Sequence, residues 1–203
     1  MYIDFKQNPK LGSALLQWWE GLDVHRAVRR TRDDEKTTGS GETALHVRGD
    51  RAGRAVLRRA DSVTAVVMTP TYQRLHRRLC AAGWQAREWP DDHLAAAIGL
   101  LAHVEVDDDQ PLPRAMSCRS RGDSDPSTSD DRPPVSPLRF MRLLESPDVD
   151  ALFTGLRRAL PLLSQGGGIR ADVRALATDV VNWGDGVKKR WAYAYDWPDK
   201  PGG

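Results

Sequence analysis

The sequence predicts an all-α fold, a helical bundle of about eight to nine helices in two halves. Three observations predict it. Apolar residues recur at spacings of three and four along nearly the whole chain. No βαβ alternation and no internal repeat is present. One Asp/Ser/Pro-rich run, 107–134, interrupts the apolar pattern and divides the chain. The expected division is an N-terminal helical half over 1–106, a linker or variable loop over 107–134, and a C-terminal helical half over 135–203.

The elements follow in order. Leu11, Leu15, Trp18, Trp19 and Leu22 mark a first helix over 9–24, with a continuation toward Arg32 left open. Residues 33–49 are polar and Gly/Thr-rich and read as a loop. Asp50 is placed to cap a short helix bearing Val56, Leu57 and Ala60. Ser62 to Met68 is apolar and β-branched, compatible with a short helix or a strand. Pro70 suits the first position of the next helix, with Tyr72, Leu75 and Leu79 on its core face. Pro90-Asp91-Asp92 opens a helix whose Leu94–Val104 stretch is apolar on nearly every side, the mark of a buried helix. Its acidic start suits the positive end of the helix dipole.

Beyond 107–134 come a helical Leu138–Leu144 stretch and a helix opened by Ser146-Pro147. The latter carries Val149, Leu152, Phe153, Leu156, Leu160 and Leu163 on one face. Gly166-Gly167-Gly168 breaks the chain. Ile169, Val173, Leu176, Ala177 and Val180 define another helix, and Val187, Trp191 and Ala194 the last.

Composition narrows the function. With 203 residues the chain is one domain or two small ones. No apolar run approaches membrane-spanning length, and the acidic, short start does not read as a secretory signal. Cys80 and Cys118 stand far apart without a CxxC, so neither a disulfide framework nor a zinc site is indicated, and a reducing cytoplasm fits. The formal net charge is only +2, yet Arg supplies most of the positive charge. Residues 51–90 carry eight Arg against Asp61 and Glu88, whereas 91–109 carry six acids and no base. Such segregation bears on partners and not on fold.

The arginines fall in rows. Arg51, Arg54 and Arg58 share one helical face, Arg74, Arg77 and Arg78 another, and Arg139 and Arg142 are i, i+3 neighbours. Arg157-Arg158 abut a core stripe. Arg170 and Arg174 are i, i+4. Each arginine alone reads as solvated surface. As a set they lack the interleaved Lys and Glu of a merely solvated face, and they suit phosphate contacts with steep salt dependence.

A family resemblance adds to this. The opening Leu15-Leu16-Gln17-Trp18-Trp19-Glu20-Gly21-Leu22 resembles the first helix of the CasB family, the small subunit of the type I-E CRISPR Cascade complex. The order that follows is also similar. It runs through Leu57-Arg58-Arg59-Ala60, Pro70, Tyr72-Gln73-Arg74-Leu75 and the apolar Leu94–Val104 helix. It continues with Leu138-Arg139-Phe140-Met141-Arg142-Leu143-Leu144, then Leu156-Arg157-Arg158-Ala159-Leu160. It closes with Trp183-Gly184, Lys188-Lys189-Arg190-Trp191-Ala192 and Tyr195. The likeness spans roughly 9–24 and 50–197 and rests on motif order; segments 25–49 and 107–134 inherit nothing.

The resemblance implies an all-helical, non-enzymatic, nucleic-acid-binding subunit without cofactor or metal. It implies partners as well: guide RNA, target DNA including the displaced strand, the Cascade backbone and large subunits, and a second copy of the chain, with no membrane. The basic residues matched to the family are Arg58, Arg59, Arg139, Arg142, Arg157, Arg158, Lys189 and Arg190. Arg74 and Arg78 join them from the helical wheel. Trp18, Trp19, Trp183 and Trp191 are weighed as base-stacking platforms, but their core-stripe positions favour packing.

Other readings have weaker support. Asp91-Asp92-His93 and Asp107-Asp108-Asp109 invite a metal-dependent nuclease, yet one group is a helix start and the other a loop rim. The histidines show no HExxH, the serines no GxSxG, and the glycine triplet no P-loop frame. A helix-turn-helix regulator, with Arg139–Arg142 or Arg74–Arg78 on the recognition helix, is the runner-up. Against it, no compact two-helix unit joined by a short turn is evident around those rows.

Overall fold

The computed structural model describes residues 2–22, 49–85, 88–117, 133–164 and 168–198, the side chains of 88–90 excepted. Among them the chain is helical throughout its core. The helices are α1 (Pro9–Glu20), α2 (Arg51–Arg59), α3 (Val63–Val67), α4 (Pro70–Ala81) and α5 (Glu88–Leu101), then α6 (Leu112–Ser117), α7 (Pro137–Leu144), α8 (Val149–Ala159), α9 (Val173–Val181) and α10 (Asp185–Ala194). A 3-10 turn, Leu160–Leu163, extends α8. Strands β1 (Val106–Asp107) and β2 (Arg170–Ala171) pair in parallel. The all-α reading holds.

Local chemistry sets the starts. Asn8, Asp50, Ser62, Thr69, Asp148 and Asp172 each accept a backbone N–H two or three residues into α1, α2, α3, α4, α8 and α9. Pro9, Pro70 and Pro137 occupy first positions, where a missing N–H costs nothing. The ambiguous 62–68 stretch is the helix α3, because Ser62 caps it and Val63 and Val66 share one buried face.

The apolar helix α5 is the centre. Leu94, Ile98, Leu100 and Leu101 are fully buried, as are Ala95, Ala96 and Ala97. It packs against α3 on one side of the 107–134 stretch and against α8 and α9 on the other. Small residues make the approach close: a Cβ on Gly99 would meet Phe153 Cε2 and Val66 Cγ2, each at 2.8 Å. One contiguous core therefore runs from Ile3 to Tyr195. The N-terminal strap closes it. Phe5 N donates to Thr178 Oγ1 at 3.1 Å, Ile3 N donates to Asn182 Oδ1 at 2.9 Å, and Lys6 pairs with Asp172.

Several sequence expectations are corrected. The stretch 107–134 is not all linker, since 112–117 form α6, with Leu112 and Met116 buried. Ile169 precedes the helix assigned to it. Arg170 and Ala171 extend instead to pair with β1, and Asp172 starts α9 only afterwards. Leu160 and Leu163 belong to a 3-10 turn, and Asp148, not Ser146-Pro147, begins α8. Helix α5 begins at Glu88, before Pro90. The extension of the first helix past Leu22, most of the 33–49 loop, Cys118 and the first two glycines of the triplet lie outside the described residues.

Arg54 also changes role. Its Nε donates to Ala102 O at 2.9 Å and its Nη2 to Val104 O at 3.1 Å, so it caps the carbonyl end of α5. Arg54→Met keeps the aliphatic stem and leaves those carbonyls without their partner. It should lower stability by about 1–3 kcal/mol, read as a fall in thermal midpoint of roughly 2–4 °C per kcal/mol.

Candidate nucleic-acid interface

The basic residues gather in three places, and the sharpest is a groove between α7 and α8. Arg139 and Arg142 reach it from α7 and Arg158 from α8. Leu143, Pro147, Ala151 and Leu162 line it with apolar surface, and its volume is about 590 Å³. Gly155 makes the crossing possible: a Cβ there would sit 2.6 Å from Leu143 Cδ2. All three arginines are exposed, and among the described residues none has an ion-pair partner, although Glu145 lies on the rim. Like charges at i, i+3 repel, so the cluster carries a concentrated positive field at the groove.

A second cleft, about 830 Å³, holds Arg51, Arg74 and Arg78 with Gln17, Trp18 and Thr71. Its charge is partly matched. Arg74 Nη2 donates to Asp50 Oδ2 at 2.8 Å and to Thr71 Oγ1 at 3.2 Å.

The third cluster lies where α2, the end of α5 and α8 meet. There Arg58 faces Glu105 at 3.8 Å, and Arg157 Nη2 extends toward Arg59 O at 3.5 Å. The consecutive Arg157 and Arg158 thus serve different clusters. Lys189 and Arg190 are separate, on α10. Arg190 pairs with Asp179, which also accepts Trp191 Nε1 at 2.6 Å, so Arg190 is tied into packing.

Part of the arginine bias has a local cause. Arg58, Arg59, Arg78, Arg142, Arg157 and Arg158 stand in the last turns of their helices. The carbonyl end of a helix favours cations there by about 0.3–1 kcal/mol each. Helix termini do not account for Arg139, which lies in the first turn of α7.

The weighed aromatic platforms are core. Trp18, Trp19, Trp183 and Trp191 are all buried, with Trp19 Nε1 donating to Leu101 O at 3.2 Å. Among the described residues the exposed large aromatics are Tyr2, Tyr193 and Trp197, which the apolar periodicity does not single out because they sit off the helical stripes. The acidic stretch is largely engaged within the fold. Asp91 accepts Trp84 Nε1 at 2.8 Å and pairs with His76 at 3.1 Å. Asp107 accepts Val173 N at 2.9 Å, and Asp108 lies 3.7 Å from Arg170. Among the described residues no three His, Cys, Asp or Glu side chains converge as metal ligands. Nor is any described helix long and apolar enough to cross a membrane.

Two histidines, His93 and His103, are buried. His93 contacts Val180 O at 3.1 Å, and burial lowers its pKa. His103 is lowered from 6.5 to about 4, first by burial and then by Arg58, Arg157 and Arg54. The unfolded chain, titrating near 6.5, binds more protons than the fold in this window. Stability is therefore fully present above pH 6.5 and falls as pH drops toward about 4. Denaturant midpoints across this range should fall for the wild type and fall less for His103→Gln.

Contrary to the expectation that no two-helix unit surrounds the Arg139–Arg142 row, α7 and α8 are joined by the short segment 145–148. In that unit Arg139 and Arg142 stand on the first helix, whereas helix-turn-helix folds read bases with the start of the second. The start of the second, α8, carries Asp148 and Asp150.

Fold and site together define a class: a mostly helical protein with an arginine-rimmed groove between α7 and α8. The model of the family CRISPR-associated protein Cse2 matches residues 53–195. The chain belongs to this family, the CasB family of the Cascade small subunit, which places it in the CRISPR Cascade complex. No curated protein and no solved structure matches.

Proposed function

We propose that this chain is a non-enzymatic, cytoplasmic nucleic-acid-binding subunit of the type I-E Cascade. It steadies guide RNA, target DNA and the displaced strand of the R-loop in antiviral defence. The observation that carries this is the α7–α8 groove, where Arg139, Arg142 and Arg158 converge without carboxylate partners among the described residues. Guanidinium groups on an apolar wall bind backbone phosphates and leave sequence to guide pairing. Arg58, Arg59, Arg78, Arg157 and Lys189 extend the basic surface, and Arg74 and Arg190 contribute less because each already has a carboxylate. The partners in this reading are the Cascade backbone and large subunits and a second copy of the chain.

The test is co-purification with the guide-RNA-bearing Cascade backbone, followed by retention of target DNA with and without the chain. The expected result is stable incorporation and stronger retention, with steep salt dependence. Failure to incorporate overturns the reading. So does palindrome-specific DNA binding by the isolated chain, the behaviour of a helix-turn-helix regulator.

A further inference from the structure

The exposed large aromatics among the described residues are not scattered, because all of them meet on α10. Gly186, Lys189, Arg190 and Tyr193 form the outer stripe of that helix at i, i+3, i+4 and i+7, while Val187 and Trp191 face the core. Tyr193 is 91% exposed. Two residues on, Tyr195 is buried and its hydroxyl donates to Val135 O at 2.6 Å. Tyr193 has no such bond and no ring contact among the described residues. Trp197 folds back onto the end of the same helix. Its Nε1 donates to Ala192 O at 2.8 Å, its ring meets Phe140 at 67° and 5.7 Å between centroids, and it stays 41% exposed. Tyr2, from the N-terminal strap, turns its hydroxyl to the Arg190 guanidinium. Single exposed aromatics are ordinary, but several on one element make a patch that folding does not explain. No large aliphatic side chain of α10 is exposed with them. Lys189 stands within the stripe instead, one helical turn before Tyr193. Lysine is depleted from the cores of protein interfaces, so flat rings interleaved with it favour a polyanion that itself carries flat rings.

We propose that the outer face of α10 is a stacking platform for the bases of a single strand, with Tyr193 as its central ring. A base lies against the Tyr193 face, with Tyr2 and Trp197 beside it. Every base has a π-face, so the platform reads no sequence. It requires an unpaired strand, because the bases of a duplex are already stacked on one another. The face therefore separates unpaired strand from duplex, which contacts to backbone phosphates alone do not. The ligand class, nucleic acid, rests on the function proposed above. What this face adds is the strand state it accepts and the side chain that senses it.

The test is equilibrium binding of the full chain, by fluorescence anisotropy, to a labelled oligothymidylate and to an abasic oligomer of the same length and charge. The oligothymidylate should bind more tightly by roughly five- to a hundredfold, the range for one stacked base. Tyr193→Ala should abolish that difference and Tyr193→Trp should keep it. Tyr193→Ala removes no charge, so the salt slope should not change, and at so exposed a position the thermal midpoint should not change either. A base preference that survives in Tyr193→Ala overturns the proposal. Equal, salt-dependent binding of both oligomers by the wild type overturns it alone and leaves the nucleic-acid role standing. Binding of neither oligomer also overturns it, and the nucleic-acid role falls with it if the chain adds nothing to target-DNA retention by Cascade. If Tyr193→Ala binds both oligomers as the wild type does but no longer joins Cascade, the face is a protein contact and the proposal falls.

Discussion

Neutralising Arg139, Arg142 and Arg158 together as glutamines lowers target-DNA retention by on the order of ten- to a hundredfold at physiological salt. With three positive charges removed from the groove, the slope of log affinity against log salt should also fall by about 2 to 3. All three side chains are exposed and line one groove, so stability should change by less than about 0.5 kcal/mol. Arg190→Gln supplies the contrast. Its guanidinium is paired with Asp179, so this change should lower the melting temperature more than it lowers retention. Filter-binding at several salt concentrations, with thermal melts of the same variants, reads both. Unchanged retention in the triple variant removes the groove from the nucleic-acid path.

Phe153→Ala should be the most damaging single truncation in the core. Phe153 is buried and lies over Gly99, where α8 crosses α5. Removing the ring leaves a cavity that the Gly99 surface cannot fill, at a cost of about 3–5 kcal/mol. For a chain of this size, that is a fall of on the order of 10 °C in melting temperature. Gly99→Ala alone should cost about 1–3 kcal/mol by overpacking against Phe153 and Val66. The double variant should be less destabilised than the sum of the two, because the new methyl enters space the ring has left. Strict additivity would show that the two residues do not share this contact.

The sequence made the helices legible where its signals are local. Asp50 caps α2 and Pro70 takes the first position of α4, and the nearly all-apolar Leu94–Val104 stretch announces a buried helix. Two-residue strands were not legible, because Val106-Asp107 and Arg170-Ala171 stabilise one another only across the fold. Helix α6 was hidden for a related reason. Its brief apolar pattern, Leu112 and Met116, sits in a Pro- and Asp-rich stretch and gains burial only from distant elements.

The arginines show the same boundary. Composition and periodicity by themselves determined that positive charge is concentrated in Arg and set in rows on helix surfaces, since helical geometry fixes which residues share a face. Motif order pointed to the Cascade small-subunit family, and the family match bears this out. Only the tertiary structure decided what each row faces. Arg51 and Arg54 share a face on the wheel, yet one lines a cleft and the other caps α5. Arg157 and Arg158 are consecutive, yet one reaches α2 and the other the α7 groove. Backbone hydrogen bonds close within four residues, so a short window of sequence specifies them. A long guanidinium side chain meets whatever the fold brings within its reach, and that depends on contacts tens of residues away.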